Sequence, residues 1–188
     1  MPIRWCNPLR PVAFAVALLA CTPLVAHSTR AGVELPSTFE AEGKVLALAS
    51  CGVRDTLWIE HYVAALYVRP GQPTADRLRD PGEPKAILMH VVREASLPQR
   101  IPEQWREPLR EELKEEPLTQ VRTAYAELGA GDRVRLTYVP GKGATIRVND
   151  GVVATTPSHD LISAVLHTWA GKDPLSGKLQ RLLLEHPC

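Results

Sequence analysis

The sequence predicts a mixed α+β domain in which antiparallel strands dominate and the helices are grouped rather than alternating with strands. Three observations carry that prediction. Alternating, β-branched segments recur at 33–69, 85–92, 133–139 and 144–155. Tight-turn signals, Glu42-Gly43 and Asn149-Asp150-Gly151 among them, join several of these segments. Stretches of helical period cluster at 102–128 and again after Ser158. At 188 residues, with 45% hydrophobic and 23% charged side chains, the chain suffices for one packed domain.

The elements follow in order. Thr38 to Gly43 reads as a strand ending in a hairpin turn, and Lys44–Ala49 alternates back out of it. Leu57 to Val68 is a long β-branched and aromatic run, read as one central strand that Pro70-Gly71 ends. A short helix is expected over Pro73–Arg79, a loop over Asp80–Pro84 and a strand over Lys85–Val92. From Pro102 through Glu116 Trp105, Leu109 and Leu113 share one helical face, with Pro108 expected to kink the helix or delay its start. Leu118 to Leu128 continues as a helix stopped by Gly129 or Gly131. Arg133–Val139, Ala144–Val148 and Val152–Thr155 read as strands joined by turns. Ser158 opens an amphipathic helix carrying Leu161, Val165 and Trp169, and a last helix holds Leu179, Leu182 and Leu183.

Residues 1–28 read as an address, leaving 29–188 as the domain. Arg4 and Arg10 precede an apolar core over 11–19, too short to span a bilayer, as in a secretory signal peptide. Ala26-His27-Ser28 suits cleavage after Ser28; Leu18-Leu19-Ala20-Cys21 resembles a lipobox that would make Cys21 an acylated N-terminus and membrane tether. Either exit implies an exported, periplasmic protein. There Cys51 and Cys188 are free to form a disulfide, or to remain a buried thiol and a frayed terminal one.

Composition and motifs weaken several function classes. With 22 basic and 21 acidic residues and 5% aromatics, the chain lacks the charge and stacking platforms of a nucleic-acid binder. No dinucleotide fingerprint, phosphate loop or Gly-x-Ser-x-Gly elbow occurs, so no cofactor is expected. The scattered histidines form no tight ligand pair, and no metal is expected either. Arg54 is harder to set aside. It enters the run bearing Trp58, Glu60 and Tyr62, which share a face if the strand is unbroken. A guanidinium beside a phenol suits a carboxylate, phenolate or enolate oxygen. The plainer alternative is an arginine paired with Asp55 or Glu60 at a strand edge.

A resemblance sharpens these readings. Gly32-Val-Glu-Leu-Pro36, Gly52-Val-Arg54, Tyr62-Val-Ala-Ala-Leu-Tyr67, Met89-His-Val-Val-Arg93, the stretch from Asp132 to Gly141, Ile146-Arg-Val-Asn149 and the stretch from Ser163 to Gly171 together resemble the chalcone isomerase superfamily, in particular its bacterial exported branch. The resemblance implies an open-faced β-sandwich, a large antiparallel sheet covered on one side by helices with a ligand cleft between. It places Arg54 at the family's oxyanion-binding arginine and Thr168 at a catalytic threonine, the two groups an enzyme would use. Tyr62 lies on the stretch where another catalytic threonine falls. Trp105 and Glu112 stand where the family carries a helical tyrosine and asparagine.

These departures weigh against catalysis. An indole N–H cannot accept a proton, and an ionised Glu112 would repel a phenolate or pair with Arg54. The resemblance therefore implies an exported protein that binds a small amphipathic, anionic ligand of fatty-acid or phenolic type. Arg54 would anchor the anion, Tyr62 and Thr168 would donate hydrogen bonds, Trp105 would form an apolar wall, and Glu112 would tune Arg54. Two alternatives stand beside it: an intramolecular lyase or isomerase acting on a chalcone-like enone, and a structural envelope protein with a vestigial cleft.

Overall fold

The structure, a computed structural model, describes residues 27–71, 73–93, 101–172 and 174–188. A short hairpin, β1 (His27–Arg30) and β2 (Val33–Pro36), precedes the main sheet. Seven strands then form one antiparallel sheet in sequential order: β3 (Thr38–Ala41), β4 (Lys44–Thr56), β5 (Ile59–Val68), β6 (Lys85–Val91), β7 (Arg133–Val139), β8 (Gly143–Val148) and β9 (Gly151–Thr156). The helices are α1 (Ala75–Arg79), α2 (Glu103–Glu112), α3 (Glu115–Ala126), α4 (Asp160–Ala170) and α5 (Gly177–Glu185). Each sequential pairing is a hairpin or a helical excursion returning to the adjacent edge, so antiparallel order follows from connectivity.

The period-two pattern of the strands sorts two cores. Tyr62, Ala64, Leu66 and Val68 of β5, with Ile87, Met89 and Val91 of β6, face the helices. Val63, Ala65 and Tyr67 face the other way and pack with Leu35, Leu46 and Leu88 beneath the β1–β2 hairpin. The helix-covered sheet expected from the sequence is present, with that hairpin closing part of its opposite face.

Two expected elements differ. The run from Leu57 to Val68 is not one strand: Leu57 and Trp58 form a two-residue turn between β4 and β5, with Thr56 paired to Ile59. Nothing in Leu-Trp signals a turn, because both residues favour strands and neither favours positive φ. Trp58 therefore does not share a strand face with Glu60 and Tyr62. Pro108 neither breaks nor delays its helix; α2 begins five residues earlier and runs through it.

The C-terminus is fastened to β4. Cys51 and Cys188 form a disulfide with Cα atoms 5.0 Å apart, Ser50 bridges to Pro187, and Ser28 Oγ donates to the Cys188 carbonyl. Helix α5 lies so close to β4 at Gly52 that a Cβ there would sit 2.9 Å from Leu179 and Leu182 side-chain atoms. That glycine is a packing requirement.

Candidate functional site

Between the sheet and the helices lies a cavity of about 550 Å³, mouth and adjoining solvent included. Ile87, Met89, Val134, Leu136 and Ile146 floor it from consecutive strands, while Trp105, Leu109, Val121, Tyr125, Val165 and Trp169 roof it from α2, α3 and α4. The floor is apolar because Ile87, Met89, Val134, Leu136 and Ile146 present uncharged, apolar side chains to the helices, and among the described residues no charged side chain lines the space. An apolar chain fits this lining; a multiply charged ligand does not.

Beside the cavity the character changes. Arg54 and Tyr62 are directly paired across β4 and β5 on the helix-facing side. The Tyr62 ring stacks on Trp169, centroids 5.9 Å apart at 23°, and Tyr125 meets Trp105 edge-on at 6.4 Å. Burial pushes the Tyr62 phenol far above the ordinary tyrosine value; the Arg54 charge opposes that shift and the Tyr125 phenol adds to it. Burial likewise raises Tyr125, to about 12. Both phenols therefore stay protonated, as hydrogen-bond donors, at any physiological pH. Neither hydroxyl has a well-formed hydrogen bond to the described residues. The Trp169 Nε1–H, near enough to Tyr62 to favour its phenolate, is also buried without a partner. A donor buried in that state beside an apolar space is costly unless something accepts from it.

Arg54 itself is half-buried, and neither it nor Tyr62 lines the cavity; the pair adjoins it through the Trp169 ring on which Tyr62 stacks. Its Nη1 donates to the Asp55 carbonyl and to Thr56 Oγ1 at 3.2 Å, both on its own strand. This leaves Nε and Nη2 without partners among the described residues. Asp55 is committed to Lys178 instead, which holds its carboxyl below the usual range. Pairing of Arg54 with the Asp55 or Glu60 carboxylate is thus not what the structure contains.

The remaining sequence candidates fall into two groups. Trp105 and Thr168 are brought together: Trp105 Nε1 donates to Thr168 Oγ1 at 2.8 Å, and that hydroxyl donates to the Val165 carbonyl at 2.8 Å. Trp105 lines the cavity. Thr168 is 3% exposed and its single proton is already used, so in this arrangement it positions Trp105 and has no proton for a ligand. Glu112 is elsewhere. Its carboxylate accepts from Thr156 Oγ1 at 3.1 Å, tying α2 to β9, and makes no ion pair with Arg54. The seven residues from Trp105 to Glu112 span about 10 Å of helix, which carries Glu112 away from the Arg54 corner. Tyr125 and Trp169 were not singled out in the sequence. Their helical spacing from apolar neighbours marks them as core, and only the missing partners distinguish them.

Cys21, the lipobox residue, lies outside the described residues. So do most of residues 1–28, the predicted address, although His27 and Ser28 belong to β1.

The chain belongs to the chalcone isomerase-like family, whose sequence model matches residues 27–185. Among solved structures it is similar to a fatty-acid binding protein of Arabidopsis thaliana: 15% identity, a TM-score of 0.58, and coverage of 85% of this chain and 96% of that one. At that identity the likeness establishes the fold. No curated protein matches the sequence.

Proposed function

We propose that this protein binds an amphipathic anion of fatty-acid type and catalyses no reaction on it. The alkyl chain occupies the apolar cavity, and the carboxylate lies at the end where Arg54, Tyr62, Tyr125 and Trp169 meet. The observation that carries this reading is an otherwise apolar cavity whose Trp169 N–H is buried without a partner, beside Tyr62 and its cross-strand neighbour Arg54. A carboxylate is acceptor-only, so it can take hydrogen bonds from all of them without bringing a competing donor. The fatty-acid binding of the Arabidopsis protein of the same fold supports the ligand class. The fate of the other family positions supports the absence of catalysis: Thr168 is internally bonded, Trp105 offers no base, and Glu112 faces Thr156.

The proposed setting is an exported, oxidising compartment, which the Cys51–Cys188 disulfide favours. Cleavage after Ser28 would remove two of the four residues of β1, whereas a start at Cys21 would leave that strand whole. We therefore propose the second exit, with an acylated Cys21.

Native mass spectrometry of protein purified from its own cells tests both parts. The expected result is a bound fatty acid and an N-terminal mass beginning at an acylated Cys21; an N-terminus at Thr29 overturns the second part alone. Calorimetry of stripped protein with dodecanoate and dodecanol then addresses the head group. The acid is expected to bind more tightly, and Arg54→Ala to weaken the acid about tenfold or more while leaving the alcohol unchanged. Failure to bind either ends the carrier reading. Loss of the absorbance of a 2′-hydroxychalcone on mixing would replace it with an isomerase.

A further inference from the structure

The tip of the β4–β5 hairpin breaks the rule that the β1–β2 and β3–β4 turns obey. Ala31-Gly32 and Glu42-Gly43 use the same two-residue geometry, with φ of 49° and 74° and of 48° and 73°, and each places glycine second. Leu57 and Trp58 adopt φ of 50° and 66° with no glycine or asparagine at all. Bulky side chains in this region are strained, and such strain is retained where the surroundings or a function require it. Here no packing compensates. Leu57 is 78% exposed, Trp58 94% and Ile59 44%, so three consecutive apolar side chains project from the end of the hairpin into water.

We propose that this Leu57–Ile59 tip inserts into the interfacial layer of a lipid bilayer. The shape and area favour lipid over protein. Three side chains on a convex turn offer roughly 500 Å² at most, short of the approximately 800 Å² per partner of a stable protein–protein contact. A bilayer needs no complementary surface, and tryptophan at the head-group level is its characteristic anchor. Charge agrees: Arg54, with Nε and Nη2 unpartnered among the described residues, lies three residues from Leu57, where it can meet an anionic lipid phosphate. The docked hairpin brings the Arg54–Tyr62 pair towards the membrane surface, although the inference stands whether or not the cavity holds a fatty acid.

The test uses the full chain with vesicles of phosphatidylcholine containing 30% phosphatidylglycerol. Brominated phosphatidylcholine is expected to quench Trp58, read as the difference from Trp58→Phe, and the vesicles to shield it from iodide. In flotation, Leu57→Asn/Trp58→Gly is expected to lower the vesicle-bound fraction at least tenfold. The same change installs a favourable turn sequence and should raise Tm or leave it unchanged, so lost binding cannot be assigned to lost folding. Trp58 fully open to iodide on vesicles and unquenched by bromolipid overturns the proposal. So does a double variant that floats like the parent. Shielding of Trp58 that grows with protein concentration in the absence of lipid would overturn it in favour of a second copy of the chain. Should the double variant fail to fold, quenching of the parent decides alone.

Discussion

Trp169 is the residue on which structure and ligand binding pull in opposite directions. Its indole fills the roof of the cavity and stacks on Tyr62, yet its N–H is buried with nothing to accept it. A donor left in that state opposes folding by about 1–3 kcal/mol. Trp169→Phe is therefore expected to leave Tm unchanged or raise it, since the ring is largely kept and the orphan removed. The same variant should bind dodecanoate several-fold more weakly and dodecanol equally well; calorimetry beside a melting curve reads both. Equal loss for acid and alcohol would mean the ring, and not its N–H, was the contribution. At this scale the sequence was partly legible. Arg54 and Trp105 stood out because their residue types sit oddly for a strand end and a family position. Tyr125 and Trp169 did not, because an aromatic at helical spacing looks the same whether its polar atom is satisfied or not.

Among the elements, strands with regular alternation and glycine-bearing turns were read correctly, and the exception was instructive. The β4–β5 turn hid inside an apparent twelve-residue strand because Leu57 and Trp58 carry strand propensity into a position that rejects it. Pairing partners were also beyond the sequence. The Glu112–Thr156 bond joins residues 44 apart, and the Cys51–Cys188 bridge closes a separation of 137, which residue type alone left open. The bridge holds the C-terminal tail and α5 against an unprotected stretch of β4. Cys51→Ala/Cys188→Ala is expected to destabilise the fold by about 2–5 kcal/mol in denaturant titration. A change below 1 kcal/mol would mean that Gly52 packing and the Ser28 and Ser50 contacts hold the tail unaided.

For the whole molecule, the sheet separates two cores, and two half-buried histidines outside them have their charge disfavoured. Burial and then Arg133 lower His90 on one face; burial and then Lys85 lower His159 at the start of α4. A base lowered in the folded state takes up its proton sooner when unfolded. Stability is therefore expected to fall as pH drops from 7 to 5. Lys85 extends the trend on the alkaline side. It is buried, bonded to the Leu78 and Asp80 carbonyls and to His159 Nε2, and burial pushes it down to about 8 from 10.5. Between those values the folded chain releases a proton that the unfolded chain keeps, so stability should climb from pH 8 to 9.5. Melting curves at pH 5, 7, 8 and 9.5 check the sign, and His159→Gln should flatten the acid limb; a maximum at pH 6 would contradict the assignment. Finally, the seam of Ser28, Cys51 and Cys188 ties β1, β4 and the segment after α5 together. Reducing that one bond would therefore slacken three pieces of chain that lie far apart in the sequence, making the thiol–disulfide balance of the surroundings a dial on the whole edge.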